Sequence, residues 1–156
     1  MTKKIVFLAL HLSYGGTERA IISEANMLVK RYEVEIISFY HLCDKPAFEV
    51  DPRVKITYLT EGLKPNRDEI KNAIKSKRPL QLIKECSKSI RILYLRTASM
   101  KKAIKKSNGD VLISTRYLYH KLLTENAKDG VVCIAQEHNH HNNNEEYIKK
   151  QIESLK

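Results

Sequence analysis

The run Ile5-Val6-Phe7-Leu8-Ala9-Leu10, followed by Ser13-Tyr14-Gly15-Gly16-Thr17-Glu18-Arg19, decides the fold class. Next comes a segment of helical period. Ala20, Ile21, Ala25, Leu28 and Val29 fall on one side, and Ser23, Glu24, Asn26 and Lys30 on the other. A buried strand, a glycine turn and an amphipathic helix are read in that order. Two glycines let a ligand approach the backbone. The helix that follows offers unpaired N–H groups and a positive dipole end to an anion. Thr17 is expected to cap that helix and Glu18 to occupy its first turn, where negative charge is favoured.

Working outward, Val34-Glu35-Ile36-Ile37-Ser38-Phe39-Tyr40 is β-branched and aromatic, and Val54 to Leu59 alternates with period two. Both predict strands. A polar, Lys-rich stretch follows, and Pro79 opens a long helix from about Leu80 to Lys106. Ser107-Asn108-Gly109-Asp110 is expected to stop it with a left-handed glycine. Val111 to Thr115 and Val131 to Ala135 read as short buried strands, with Cys133 in the core. A helix from Tyr117 to Ala127 lies between them. A last helix is expected from about Asn144, with Glu145 and Glu146 in its first turn. The order β-α-β-β-α-β-α-β-α predicts a Rossmann-like three-layer α/β sandwich with a mostly parallel sheet covered on both faces.

The chain has 156 residues, 42% hydrophobic and 29% charged, which fits one globular domain rather than a disordered segment. No apolar run approaches the ~20 residues of a membrane span. The apolar run after Lys3-Lys4 is read as a strand, not a signal peptide. His11 interrupts it, no small-residue cleavage site follows, and an amphipathic helix begins at once. Cys43, Cys86 and Cys133 are odd in number and in no metal-ligand pattern, as expected of reduced thiols in the cytoplasm. The net charge of +10 is uneven: from Lys64 to Lys106 there are 14 Lys or Arg against Asp68, Glu69 and Glu85. This is either a solvated helix face or a surface for an anionic partner, such as the inner face of a membrane. The absence of zinc-finger spacing, an aromatic RNP-like motif or a clear helix-turn-helix disfavours nucleic acid.

In open α/β sheets ligands sit outside the carboxyl ends of the strands. Three segments are predicted to lie there: the Gly15-Gly16 loop, Ser114-Thr115-Arg116 and Glu137-His138-Asn139. His11 and Ser13 line the same mouth. Arg19 and Arg116 are candidates to meet an anionic ligand, and a histidine such as His138 can donate to a sugar hydroxyl or move a proton near neutral pH. His138, His140 and His141 lack a fourth ligand at suitable spacing, so no metal site is expected. A dinucleotide fingerprint is absent, since Phe39-Tyr40-His41 stands where an acidic residue would end the second strand.

The glycine turn, its helix, and Tyr32-Glu33-Val34-Glu35-Ile36-Ile37-Ser38 resemble the opening of GT-B glycosyltransferases of the family 4, or group 1, type. The resemblance covers residues 4–40 well and the strand ends at 111–116 and 131–139 more loosely. The usual Gly-His before the second strand is replaced by Arg31-Tyr32. It implies that residues 1–156 form the N-terminal, acceptor-side half of a GT-B fold. The donor-binding domain, with its Glu-x7-Glu motif, would lie outside this chain. Glu61/Glu69 and Glu137/Glu145 share that spacing by chance and receive no such role.

The resemblance further implies transfer of a sugar, with retention, from a nucleotide-diphosphate sugar to a hydroxyl. The acceptor would be a sugar or a lipid-linked precursor of the cell envelope or capsule. Gly15, Gly16 and Thr17 would face the donor diphosphate. His138 and Glu137 would stand at the reacting centre, and His11, Ser13, Arg19, Arg116 and Asn139 would hold the acceptor. No cofactor or metal is expected on this chain, and alone it is expected to be inactive. The enzyme is expected in the cytoplasm or on the inner face of the membrane. A non-catalytic nucleotide- or anion-binding module of the same fold is the alternative.

Overall fold

The structure is a computed structural model that describes residues 2–138 together with Lys149, Ile152 and Glu153. Five strands, β1 (Lys4–Ala9), β2 (Glu33–Tyr40), β3 (Lys55–Thr60), β4 (Val111–Ser114) and β5 (Val132–Ala135), form one sheet in the order β3-β2-β1-β4-β5. Every pairing is parallel: Ile5 stands between Val34 of β2 and Val111 of β4, and Val111 pairs with Val132. The helices are α1 (Gly16–Leu28), α2 (Arg67–Lys75), α3 (Pro79–Lys106) and α4 (Tyr117–Asn126).

The side-chain alternation of β1 divides the core in two. Ile5, Phe7 and Ala9 pack with Ile21, Ile22 and Ala25 of α1 and with Val34 and Ile36 of β2. Val6 and Leu8 face the opposite way, onto Ile92, Met100 and Ile104 of α3 and Tyr119 and Leu123 of α4. Continuous apolar strands with helices on both faces are what a buried parallel sheet requires, and the three layers follow.

Several local expectations are corrected. Gly15, not Thr17, precedes the first helical residue of α1, and no side chain caps that end. The polar stretch after Gly62 contains α2, whose Ala73 is buried. Asn66 anchors its start: Nδ2 donates to the Glu85 carbonyl at 2.8 Å and to Oε2 of Glu85 at 2.9 Å, and Oδ1 accepts from Ser89 Oγ at 2.7 Å. Helix α3 ends on an extended Ser107, and Gly109 does not adopt the left-handed region. Gly109 answers a different need. A Cβ there would sit 2.7 Å from Val6 Cγ2 and 3.0 Å from Leu112 Cδ1, so the chain passes too close to the core for a side chain. β5 is exposed along its length, Cys133 included. It is the last strand in the order, so among the described residues only β4 flanks it. The expected helix from Asn144 lies largely outside the described residues; Lys149, Ile152 and Glu153 are helical.

Candidate functional site

The chain builds β1, β2 and β3 in one direction and then returns to place β4 on the other side of β1. That reversal opens a crevice at the carboxyl ends of β1 and β4, where such sheets receive ligands. The loop leaving β1 carries His11, Ser13, Gly15 and Gly16; the loop leaving β4 carries Thr115 and Arg116. Thr115 Oγ1 donates to the Leu8 carbonyl at 2.9 Å and holds the two strand ends together.

Glu18 is the hub of this mouth. It sits three residues before Ile21, on the buried stripe of α1, and is only 2% exposed. Its Oε1 accepts a hydrogen bond from Arg116 Nη2 at 2.7 Å and lies 3.5 Å from His11 Nδ1. Ser13 Oγ is 3.0 Å from the same His11 nitrogen. Burial pushes the His11 pKa down. The Arg116 guanidinium adds to that, and the Glu18 carboxylate opposes it. His11 is therefore a neutral imidazole near pH 7, able to accept or donate at the crevice.

The two glycines have different roles. Gly15 is extended, and a Cβ on it would collide with the Glu18 carboxylate. Gly16 is exposed, and a Cβ on it would meet nothing within 4 Å. Gly15 thus admits Glu18 beneath the turn, while Gly16 presents open backbone at the helix start. Thr17 is half-buried beside it. Arg19 is exposed and forms no ion pair among the described residues.

A second polar chain closes the mouth on the β5 side. Ser114 Oγ is 2.6 Å from His120 Nδ1, and His120 Nε2 is 3.9 Å from Glu137 Oε2. Burial lowers the His120 pKa, and Glu137 opposes the shift. Gln136 Nε2 donates to Glu24 Oε2 at 2.9 Å and ties the end of β5 to α1. His138 follows, with its Nε2 buried and without a hydrogen-bond partner among the described residues.

The structure therefore joins His11, Ser13, Gly15 and Arg116 through Glu18, and brings Glu137 to His120. No hydrogen bond among the described residues links His138 to the Glu18 group. Asn139, His140, His141 and Glu145 lie outside the described residues. Among the described residues no group of three or more His, Cys, Asp or Glu could hold a metal ion. The sequence pattern marks Glu18 only as a first-turn acid and does not single out His120. The readable signal was their position: Glu18 with Ile21, Ile22 and Ala25, and His120 with Leu123, each occupy the buried stripe of a helix.

No family model matches the chain. It is similar to an exopolysaccharide phosphotransferase of Streptomyces coelicolor, 29% identical over 132 residues that make up 80% of this chain and 14% of that protein. It is also 30% identical over 111 residues to the GalNAc-alpha-(1->4)-GalNAc-alpha-(1->3)-diNAcBac-PP-undecaprenol alpha-1,4-N-acetyl-D-galactosaminyltransferase of Campylobacter jejuni, covering 71% of this chain and 25% of that enzyme. The matched stretches thus span a seventh and a quarter of these relatives' lengths. Both relatives are transferases by name.

Proposed function

We propose that this chain is the acceptor-side, N-terminal domain of a retaining GT-B glycosyltransferase of the family 4 type. The enzyme transfers a sugar from a nucleotide-diphosphate sugar to a hydroxyl on an envelope glycan or lipid-linked precursor. A donor-binding domain outside these 156 residues completes the cleft. The observation that carries the reading is the glycine turn at the β1/β4 switch point. There the free N–H groups at the start of α1, beside the open side of Gly16, offer a seat to an anion.

Breaking the bond between sugar and diphosphate builds positive character on the anomeric carbon and negative charge on the leaving oxygens. Backbone N–H groups fixed at a helix start stabilise that charge without reorganising. His138 and Glu137, beyond β5, face the reacting centre in this reading. His11, Ser13, Arg19, Arg116 and Asn139 hold the acceptor, and His120 steadies Glu137.

The test is Gly16→Val in the polypeptide that joins this chain to its donor domain. A Cβ here meets open space, so the fold stays intact and turnover is expected to collapse. Undiminished activity would refute the role. Calorimetry on the present chain is expected to show no tight binding of nucleotide sugars; micromolar affinity would contradict the half-enzyme reading. The Streptomyces relative's name favours a second reading, transfer of a phosphorylated group. A donor labelled in the phosphate next to the sugar separates the two. Glycosyl transfer leaves the label on the released nucleotide; transfer of a sugar phosphate leaves it on the product.

A further inference from the structure

Helix α3 is longer than the sheet it covers. Its 28 residues extend about 42 Å, whereas the eight residues of β2 extend about 26 Å. Its buried residues, Ile92, Met100 and Ile104, begin at its midpoint, and none lies before it. The helix runs from the carboxyl end of the sheet back to the start of β4, and before Ile92 it is held by Asn66, which bonds Glu85 and Ser89.

From Leu80 to Tyr94 the helix is apolar on its outer side. Leu80 is 83% exposed, Ile83 64%, Ile90 69% and Tyr94 71%. With Ser87 between them, they recur at three- and four-residue steps and form one stripe. Lys84, Lys88 and Arg91 flank the stripe, and Lys101 and Lys105 continue its line; all are exposed. Glu85 is the single acid of the helix. Ile74 of α2 is exposed as well, at 58%.

We propose that this stripe is a membrane-docking face, in which Leu80, Ile83, Ile90 and Tyr94 enter the headgroup region of an anionic lipid surface while the neighbouring Lys and Arg side chains contact its phosphates. Exposed large apolar side chains beside a dense positive charge are the two halves of an interfacial helix. The same spacing could serve a coiled-coil seam. A second copy, however, would bring one basic helix against another, and like charge opposes that pairing. The proposal goes beyond the glycosyltransferase reading and does not depend on it.

The chain has no tryptophan, so Tyr94→Trp supplies a single fluorescent reporter on the stripe. Vesicles of phosphatidylcholine with about 30% phosphatidylglycerol are expected to bind the protein about tenfold more strongly than pure phosphatidylcholine, and to shift the emission to the blue. About 0.5 M salt should remove most of the preference. The variant Leu80→Ser, Ile83→Ser, Ile90→Ser changes only exposed side chains, so it should keep the fold by circular dichroism and lose about tenfold in binding. Equal binding to both vesicles, no binding, or binding without an emission shift would overturn the proposal. So would a concentration-dependent dimer in sedimentation that the serine variant abolishes.

Discussion

Replacing Glu18 by Gln tests the hub of the crevice, because it keeps the shape of the side chain and removes its charge. In the native chain the Glu18 side chain is 3% exposed and its Oε1 takes a 2.7 Å hydrogen bond from Arg116. The amide retains a carbonyl oxygen for Arg116 but leaves the guanidinium without a counter-charge. Nε of Arg116 is already buried without a hydrogen-bond partner among the described residues. Removing one partner of a buried pair costs roughly 3–5 kcal/mol. The Arg116 side chain is 27% exposed and recovers some hydration, so a loss of about 2–3 kcal/mol is expected. At about 2–4 °C per kcal/mol for a chain of this size, the melting temperature should fall by about 4–12 °C.

Urea unfolding followed by circular dichroism reads the loss. The double variant Glu18→Gln, Arg116→Met should recover much of it, since it leaves no orphaned charge. Histidine titration by NMR gives a second readout. Glu18 raises the His11 pKa against burial and Arg116, so Glu18→Gln should lower it further. A stability change within about 0.5 kcal/mol, the range of ordinary surface substitutions, would refute the account. An unchanged His11 titration would refute it equally.

Gly15→Ala drives a methyl group into the Glu18 carboxylate and should cost about 1–3 kcal/mol in urea unfolding. Gly16→Ala meets open space and should change stability by less than about 1 kcal/mol; equal losses at both positions would sink the distinction. Gly109→Ala presses on Val6 and Leu112 and should destabilise by about 1–3 kcal/mol, an effect absent if the segment simply moves aside. His11 and His120 are held neutral by burial, with folded pKa values below the unfolded value of about 6.5. Their contribution is therefore full above about pH 6.5 and lost as pH falls through their folded values. The urea midpoint should drop from pH 7.5 to pH 5.5, and an unchanged midpoint would show that neither group is held neutral.

The glycine turn was legible because the chain changes from a strand's continuous apolar run to a helix's period across two glycines. The boundaries of α3 were legible for a related reason: Pro79 and the spaced Leu, Ile and Met residues mark it over 28 residues. α2 was hidden because Ile70, Ala73 and Ile74 are its only apolar residues, and Asn66 secures its start by reaching across to α3. β5 was misjudged because an apolar run reports hydrophobicity, not position in the sheet. Val131 to Ala135 reads the same in the middle as at an edge, and the topology places it at the edge.

The charge arrangement of the mouth follows from the same limitation. A sequence shows Glu18, Arg19 and Arg116 as one acid and two bases near a glycine turn, with any pairing open. Helical position decides it. Glu18 shares the buried stripe with Ile21 and Ile22, so its carboxylate must find a cation inside, and Arg116 from the end of β4 reaches it. Arg19, one residue on, falls outside that stripe and stays exposed. The internal pair cancels its own charge and fixes the β1 and β4 loops against each other. What remains to attract an anion is Arg19 and the N–H groups at the start of α1, both beside Gly16. A buried carboxylate under the turn thus does two things at once: it makes the crevice rigid, and it leaves the positive potential on the side where Gly16 presents open backbone.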